Sequence, residues 1–401
     1  MANPYRALFA VPGARAFIPA SFVGRMSMSM LGIGIVLMVT GTGRSYGLAG
    51  AVSATCALSW AAFSPFTSRL VDRHGQGRVL VPMVTANAFM IVALIMCAEL
   101  GAPDWTLFPA AALAGITSPN LSAMIRARWS HLLAGGGPPL HSAYSLESVL
   151  DEVVFVCGPM LVSVLATVIY PAAGVLAAGL FTLVGCLALA GQRASEPPAR
   201  PREQGGGRSV LRLRGMPVVI TVFLMLGMVF GSADVGAIAF ADEQGRKALS
   251  GAVLACFALG SGTAGLWYGT RHWKRSLSAR FRIGLGLLTA GLLPLGLIGS
   301  LPLLMVMIFF AGLAISPTII PAYGLVEAMT PERQLTEGLG WSGAAIGVGV
   351  ALGSSIGGQL IDLSGASASF TFAFAAGLAA VLAGLLGGSR FDNKIKHEFS
   401  S

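Results

Sequence analysis

Apolar residues recur along the chain in blocks of about 20, each long enough to cross the ~30 Å hydrocarbon core of a bilayer as a helix. Short polar stretches separate the blocks from one end of the sequence to the other. A membrane-spanning strand has about 10 residues and alternates polar with apolar positions, which these blocks do not. The pattern therefore predicts membrane-spanning helices.

We count twelve such blocks. They cover residues 16–40, 47–70, 79–100, 104–125, 142–169, 171–191, 216–241, 250–270, 281–299, 301–325, 335–361 and 367–388. The composition agrees, because only 11% of the residues are charged, against about 25% in soluble domains.

The net charge of +9 comes from basic residues that fall almost entirely on alternate connections between the blocks. This distribution is that of the positive-inside rule, so it indicates topology rather than nucleic-acid binding. We expect a multi-pass protein of the cytoplasmic (inner) membrane, with both termini cytoplasmic. Arg15 precedes a full-length block, so we expect no cleaved signal peptide.

The two halves of the sequence resemble each other. The stretch "GAVSATCAL" at 50–58 aligns with "GAVLACFAL" at 251–259, and Ser118-Pro119 aligns with Ser316-Pro317. A Pro- and Gly-rich linker at 192–214 separates a first six-helix bundle (1–191) from a second (215–390), with a tail at 391–401. We therefore expect an all-α membrane protein with twelve transmembrane helices in two pseudo-symmetric bundles.

The loop between the second and third blocks, "SRLVDRHGQGR" at 68–78, resembles the loop motif of the major facilitator superfamily. Asp72, Arg73 and Gly75 match that motif. Gln76 and Gly77 replace its basic pair, and Arg78 follows later. The resemblance implies two bundles that rock about a central cavity lined by spans 1, 4, 7 and 10. It also implies that Asp72 and Arg73 act at the inner gate, near Arg78 and Arg126.

Gly158 and Pro159 in "CGPMLVS" are similar to the Gly-Pro core found in antiporters of this family. The resemblance favours export and assigns the two residues to gating. The Arg that the antiporter pattern carries within the fourth span has no counterpart in "AALAGITSPN".

Ionisable residues within the blocks are candidate coupling sites, because burying a charge in a membrane is costly. Counting from the outer ends of their spans, Arg25 lies roughly 23 Å deep and Asp151 roughly 27 Å deep, and Glu147 and Asp151 share a helix face. We expect Arg25 to face the acid cluster of Glu147, Asp151 and Glu152. A carboxylate there could exchange a proton for a conformational or substrate signal.

The same residues allow a purely structural interpretation. Ser148–Asp151 has the shape of a capping box, so the acids could begin a helix near water and pair with Arg126, Arg128 or Arg78. Both interpretations stay open at this point.

Asp234 lies in the outer third of the seventh span, and its repeat partner is Leu31, so this acid belongs to one half only. Asp234 could bind substrate or a proton, or it could lie in a wet vestibule. The other candidates for substrate binding are Arg25, Asn120, Ser118, Ser316 and Tyr323. The two Ser-Pro pairs should also kink their helices.

The sequence has no phosphate-binding loop, no cofactor motif and no histidine within a block, so we expect no cofactor, no metal site and no enzymatic activity. We expect a monomeric secondary active transporter that moves a small molecule by alternating access, coupled to protons, in the direction of efflux. The alternatives are proton-coupled uptake of an anionic or zwitterionic metabolite bound by Arg25, and a non-transporting receptor or scaffold on the same fold.

Overall fold

The computed structural model describes residues 4–44, 46–199, 209–213, 215–246 and 249–386. These residues form an all-helical protein, which confirms the predicted fold class. The helices that precede residue 200 are α1 (Pro4–Leu8), α2 (Ala14–Gly41), α3 (Tyr46–His74), α4 (Gln76–Glu99), α5 (Leu107–Ile116), α6 (Leu121–Leu133), α7 (Leu140–Val164) and α8 (Ala173–Ala190). Those that follow are α9 (Met216–Glu243), α10 (Ser250–Thr270), α11 (Leu277–Leu292), α12 (Leu301–Gly312), α13 (Ile315–Met329), α14 (Leu335–Ser364) and α15 (Ala366–Leu386).

Eleven helical segments within the described ranges are long and apolar enough to cross a membrane. The one predicted span without a counterpart among these eleven is the fourth block. It falls on α5 and α6, and each of these helices is too short to cross a membrane alone. The helical path is interrupted between Thr117 and Asn120, because Pro119 lacks an N–H group and disfavours helical geometry at Ser118.

The backbone groups freed by this break have side-chain partners. Asn87 on α4 donates to the carbonyl oxygen of Ala114 at 2.8 Å. Asn120 accepts a hydrogen bond from the N–H of Ala123 at 3.1 Å and thereby caps α6. The tenth span also breaks, between α12 and α13, just before the second Ser-Pro pair. Both predicted kinks are therefore present.

Glycine allows very close helix crossings in the interior. A Cβ atom at Gly185 on α8 would lie 2.3 Å from the backbone nitrogen of Gly24 on α2, so no larger residue fits there. By contrast, large apolar side chains such as Phe89 and Val184 are 67% and 57% exposed, as expected for a surface that faces lipid.

We call the end of the molecule where α3 meets α4 the linker end, because Gln192–Ala199 also lies there, and we call the opposite end the far end. The hydrogen bonds described below between helices of the two halves all lie in the linker-end portion of the bundle. The contacts between the two halves are most extensive at two pairs of helices, α3 with α14 and α7 with α10.

Two sequence expectations are wrong in detail. The predicted fourth block ends at residue 125, which leaves Arg126 and Arg128 on a connection outside it. Both instead lie on α6, where they are 2% and 0% exposed, because this helix continues to Leu133. The capping-box interpretation of Ser148–Asp151 also fails, since α7 begins at Leu140 and those residues lie inside the helix.

Candidate functional site

A buried network of four charged side chains joins α2, α6 and α7. The Arg25 guanidinium contacts Glu147 (Nη2 to Oε2, 2.7 Å) and Asp151 (Nη1 to Oδ1, 2.7 Å). Arg126 contacts the second oxygen of Asp151 (Nη2 to Oδ2, 3.0 Å). Two guanidinium groups therefore balance two carboxylates.

Helix periodicity produces this arrangement. Glu147 and Asp151 are four residues apart on α7, so both point to the same side, where Arg25 approaches from α2. The expected meeting of Arg25 with the acid cluster is present, and so is the expected pairing of Asp151 with Arg126. Arg128 and Arg78 do not take part.

Neutral groups complete the shell of the network. Trp129 donates its indole N–H to Glu147 Oε1 at 2.8 Å, and Arg25 Nη2 donates to Ser21 Oγ at 3.3 Å. Glu147 is 0% exposed and Arg25 is 2% exposed. Removing one member would leave an uncompensated buried charge, which typically costs about 3–5 kcal/mol.

The network reaches the second half of the chain through α6. The Arg126 guanidinium lies over the Tyr323 ring of α13, 4.2 Å from its centroid, in a cation–π contact. Ser130, one turn further along α6, donates to Glu327 Oε1 on the same helix α13 at 3.1 Å. Arg126 contacts both Asp151 and Tyr323, so this one side chain connects the charge of Asp151 to α13.

Glu152 and Asp234 are two further acids near the network, both half-buried. Glu152 hydrogen-bonds Ser261 on α10 and lies within electrostatic reach of Asp234 on α9. Neither acid forms an ion pair with any residue in the described part of the chain. The two halves thus each contribute one carboxyl group that lacks a basic partner.

The remaining candidates for substrate binding have structural partners instead. Asn120 caps α6 and donates to Ser64 Oγ at 2.9 Å. Ser316 is 1% exposed and shares a hydrogen bond with Ser261 at 3.1 Å. Ser118 is half-buried at the helix break, and Tyr323 is the partner of Arg126 described above.

Asp72 lies at the linker end of α3, against the first turn of α14. Its carboxylate accepts hydrogen bonds from the N–H groups of Thr336 (3.2 Å) and Glu337 (2.8 Å), which places a negative charge at a helix N-terminus. Arg69, one turn earlier, contacts Glu337 Oε1 at 2.6 Å. This is where the resemblance located the gate.

Unlike Asp72, the other matching residues of the 68–78 motif have no described hydrogen bond to α14. Arg73 is half-buried, and Arg78 is exposed and makes no described side-chain hydrogen bond. Gly75 has a φ of 90°, which favours glycine, and lets the chain turn from α3 into α4.

The two residues that replace the basic pair each have a partner. Gln76 accepts a hydrogen bond from Arg128 Nε at 2.6 Å. The N–H of Gly77 donates to Glu196 Oε1 at 2.9 Å, so a carboxylate from beyond α8 lies at the beginning of α4. Arg128 also donates to Ser195 Oγ at 2.7 Å. The first residues of the linker are therefore hydrogen-bonded to the beginning of α4 and to α6.

Gly158 and Pro159 lie where α7 crosses α2. A Cβ atom at Gly158 would lie 1.9 Å from Ser29 Oγ, and Ser29 donates to the carbonyl oxygen of Val154 at 2.8 Å. A larger residue at this position would therefore displace the Ser29 hydroxyl, and the gating role assigned to the pair stays a prediction.

Sequence reasoning missed several residues of this site. Trp129, Arg69, Glu196 and Gln76 all participate. The one available signal was that a helix continuing beyond Asn120 would carry Arg126 and Trp129 into the interior. The described residues contain no group of three or more His, Cys, Asp or Glu side chains able to hold a metal ion.

The family model of the Major Facilitator Superfamily matches residues 17–281 and 275–400, nearly the whole chain. The chain belongs to the major facilitator superfamily. This match confirms the resemblance inferred from the loop motif at 68–78. Members of this superfamily transport molecules across membranes. No curated protein matches the sequence of this superfamily member.

Solved transporters share the fold of this superfamily member. The crystal structure of the human organic anion transporter MFSD10 superposes with a TM-score of 0.72 and 16% identity, over 93% of this chain and 99% of that one. A bacterial homologue of the iron transporter ferroportin, in an outward-facing state, gives 0.74 and 15%, over 94% and 99%. The E. coli fucose:proton symporter gives 0.67 and 12%, over 93% and 99%. At such identities the likeness concerns the fold alone.

Proposed function

We propose that this protein is a proton-coupled secondary transporter that exports a small molecule by alternating access. The observation that carries the proposal is the buried network of Arg25, Glu147, Asp151 and Arg126, which adjoins Glu152 and Asp234. Isolated buried charges are costly, so ionisable residues inside a membrane protein generally mark a path for ions, protons or substrate.

Proton coupling follows from how the acids are partnered. Asp151 accepts from two guanidinium groups, and its protonation would weaken both contacts. Arg25 would keep its contact with Glu147, whereas Arg126 would lose the ion pair described above. Because Arg126 also stacks on Tyr323, its release would loosen the contact between α6 and α13. Glu152 and Asp234 lack a basic partner within the described ranges, so a proton or a positively charged substrate group could neutralise them.

The alternative of anion uptake through Arg25 is less well supported. Both terminal nitrogens of Arg25 already contact carboxylates, so an anionic substrate would have to displace Glu147 or Asp151. The resemblance of Gly158-Pro159 to the antiporter motif favours export. A receptor or scaffold on the same fold would need no such network.

The topology of the proposal places the linker end in the cytoplasm of a cell with an inner membrane. Two bundles, 1–191 and 215–390, would move relative to each other as a monomer, connected by the linker at 192–214. The hydrogen bonds between halves at the linker end support an arrangement that is closed on that side.

Asp151→Asn tests the proposal in proteoliposomes. Substrates are first identified by thermal shift of the purified protein against a compound panel at two pH values. The variant should lose transport driven by a proton gradient and keep counterflow exchange, because the site can still cycle but no longer exchanges a proton. Asp104→Asn is the matched control, since Asp104 forms an ion pair with Arg44 at the far end and its side chain is 61% exposed.

Full proton-driven transport by Asp151→Asn would refute Asp151 as the coupling residue. A wild-type protein that moves neither substrate nor protons under any gradient would instead support the receptor alternative.

A further inference from the structure

The short helix α1 lies against the seam where α7 of the first half meets α10 of the second. Its Tyr5 hydroxyl donates to the carbonyl oxygen of Leu266 at 2.7 Å and lies 3.3 Å from that of Gly265, both near the end of α10. The same hydroxyl lies 3.0 Å from Ser145 Oγ on α7. Tyr5 therefore bonds to helices of both halves at once.

The seam is shaped to receive this hydroxyl. A Cβ atom at Gly269 would lie 2.3 Å from Tyr5 Oη and 2.6 Å from Ser145 Oγ, so only glycine leaves the required space. Ser145 has one hydroxyl proton, which it shares between the Tyr5 oxygen and the carbonyl oxygen of Gly265. Ser142 donates to the carbonyl oxygen of Gly269 at 2.6 Å.

The chemistry of the contact matches the end of a helix. The C-terminal end of α10 carries the negative end of the helix dipole, so its carbonyl groups attract hydrogen-bond donors. Of the acceptors named here, Gly269 belongs to the last four carbonyl groups, which have no partner four residues further along the helix, and Gly265 and Leu266 lie just before them. A tyrosine donates only while it is protonated. Burial raises the pKa of the Tyr5 hydroxyl above its ordinary value, although the hydrogen bond with Ser145 opposes this effect.

We infer that Tyr5 is a conformational latch, which holds the linker end closed by joining α1 and α7 to the last turns of α10. The inference assumes the alternating access of the proposed function. When α7 and α10 separate, the bond of Tyr5 to Leu266 must break, whereas its contact with Ser145 lies within the first half and can persist. Tyr5 therefore stabilises one of the two states and not the other.

Tyr5→Phe tests the latch by hydrogen–deuterium exchange of the full-length protein in lipid nanodiscs, without any substrate. Removing one net hydrogen bond should raise the population open at the linker end roughly fivefold. Exchange should therefore accelerate by that factor at the end of α10 and also at residues 335–340 of α14, which lie at the other seam. Arg6→Ala, an exposed position on the same short helix, should leave both regions unchanged.

Acceleration confined to the end of α10 would mean that Tyr5 is only a local packing residue, and no acceleration anywhere would also overturn the latch. Ser145→Ala is a second, independent variant, in case Tyr5→Phe does not fold. It removes the neighbouring hydroxyl from the same seam, so it should also accelerate exchange at both seams. Since no transport is measured, failure of the latch is distinguishable from failure of the proposed function.

Discussion

The two seams between the halves differ in chemistry. At the α3–α14 seam, the Asp72 carboxylate accepts from backbone N–H groups at the beginning of α14. At the α7–α10 seam, neutral donors meet carbonyl groups at the end of α10. These donors are Tyr5, His141, Ser142 and Ser145.

In both seams the first half supplies side chains and the second half supplies the end of a helix. An anion lies at a helix N-terminus and hydrogen-bond donors lie at a helix C-terminus, as the helix dipole requires. One seam thus depends on charge and the other on close approach. A charge-neutralising change perturbs the first seam directly and a steric change perturbs the second, and in either case a loss of closed-state stability should appear at both seams.

The largest effect is expected from Gly269→Val at the α7–α10 seam. Its side chain would collide with Tyr5 and Ser145, and overpacking of this kind typically costs about 1–3 kcal/mol. The closed linker end should be destabilised by that amount, which hydrogen exchange at both seams would report. Gly262→Val is the matched control on the same helix, because a Cβ atom there would meet nothing within 4 Å. Equal behaviour of the two variants would contradict the close-approach argument.

Asp72→Asn should have an intermediate effect, largest at the α3–α14 seam. Asparagine can still accept one hydrogen bond but brings no charge to the N-terminus of α14, so we expect a loss of about 1 kcal/mol. The amides of Thr336 and Glu337 should exchange faster, as measured by mass spectrometry. Unchanged protection of these two amides would show that the charge of Asp72 is irrelevant to this seam.

His141→Ala should have the smallest effect. The ring nitrogen Nε2 donates to the carbonyl oxygen of Arg271 at 3.0 Å in an exposed position, and such a bond contributes about 0.5 kcal/mol. Thermal unfolding in detergent should shift only slightly, and exchange at α14 should stay as in the wild type. A shift as large as that of Gly269→Val would reverse the proposed ranking within the seam.

The fold was predictable because its main signal is the length of apolar blocks. Eleven of the twelve predicted spans are present as helical segments of membrane-spanning length. The facing of Arg25 toward Glu147 and Asp151 also follows from the sequence, since both acids share one side of α7. The interruption of the fourth span was also predictable from Pro119.

The continuation of that span was not predictable in the same way. The sequence "LSAMIRARWSHLL" is too polar to be recognised as membrane helix, although its two arginines are buried by carboxylate, amide and carbonyl partners from distant segments. Contacts such as Glu196 with Gly77 depend on residues 119 positions apart, and no local pattern announces them.

The interruption between α5 and α6 has a mechanical consequence. Because the ladder of backbone hydrogen bonds stops at Thr117 and resumes after Asn120, α6 can rotate without breaking bonds inside a continuous helix. The orientation of α6 therefore depends on its side-chain contacts, including those of Arg126 and Ser130 with α13, and not on a continuous backbone ladder with α5. A change of charge beside Arg126 would then be borne by a helix of 13 residues instead of a whole transmembrane helix.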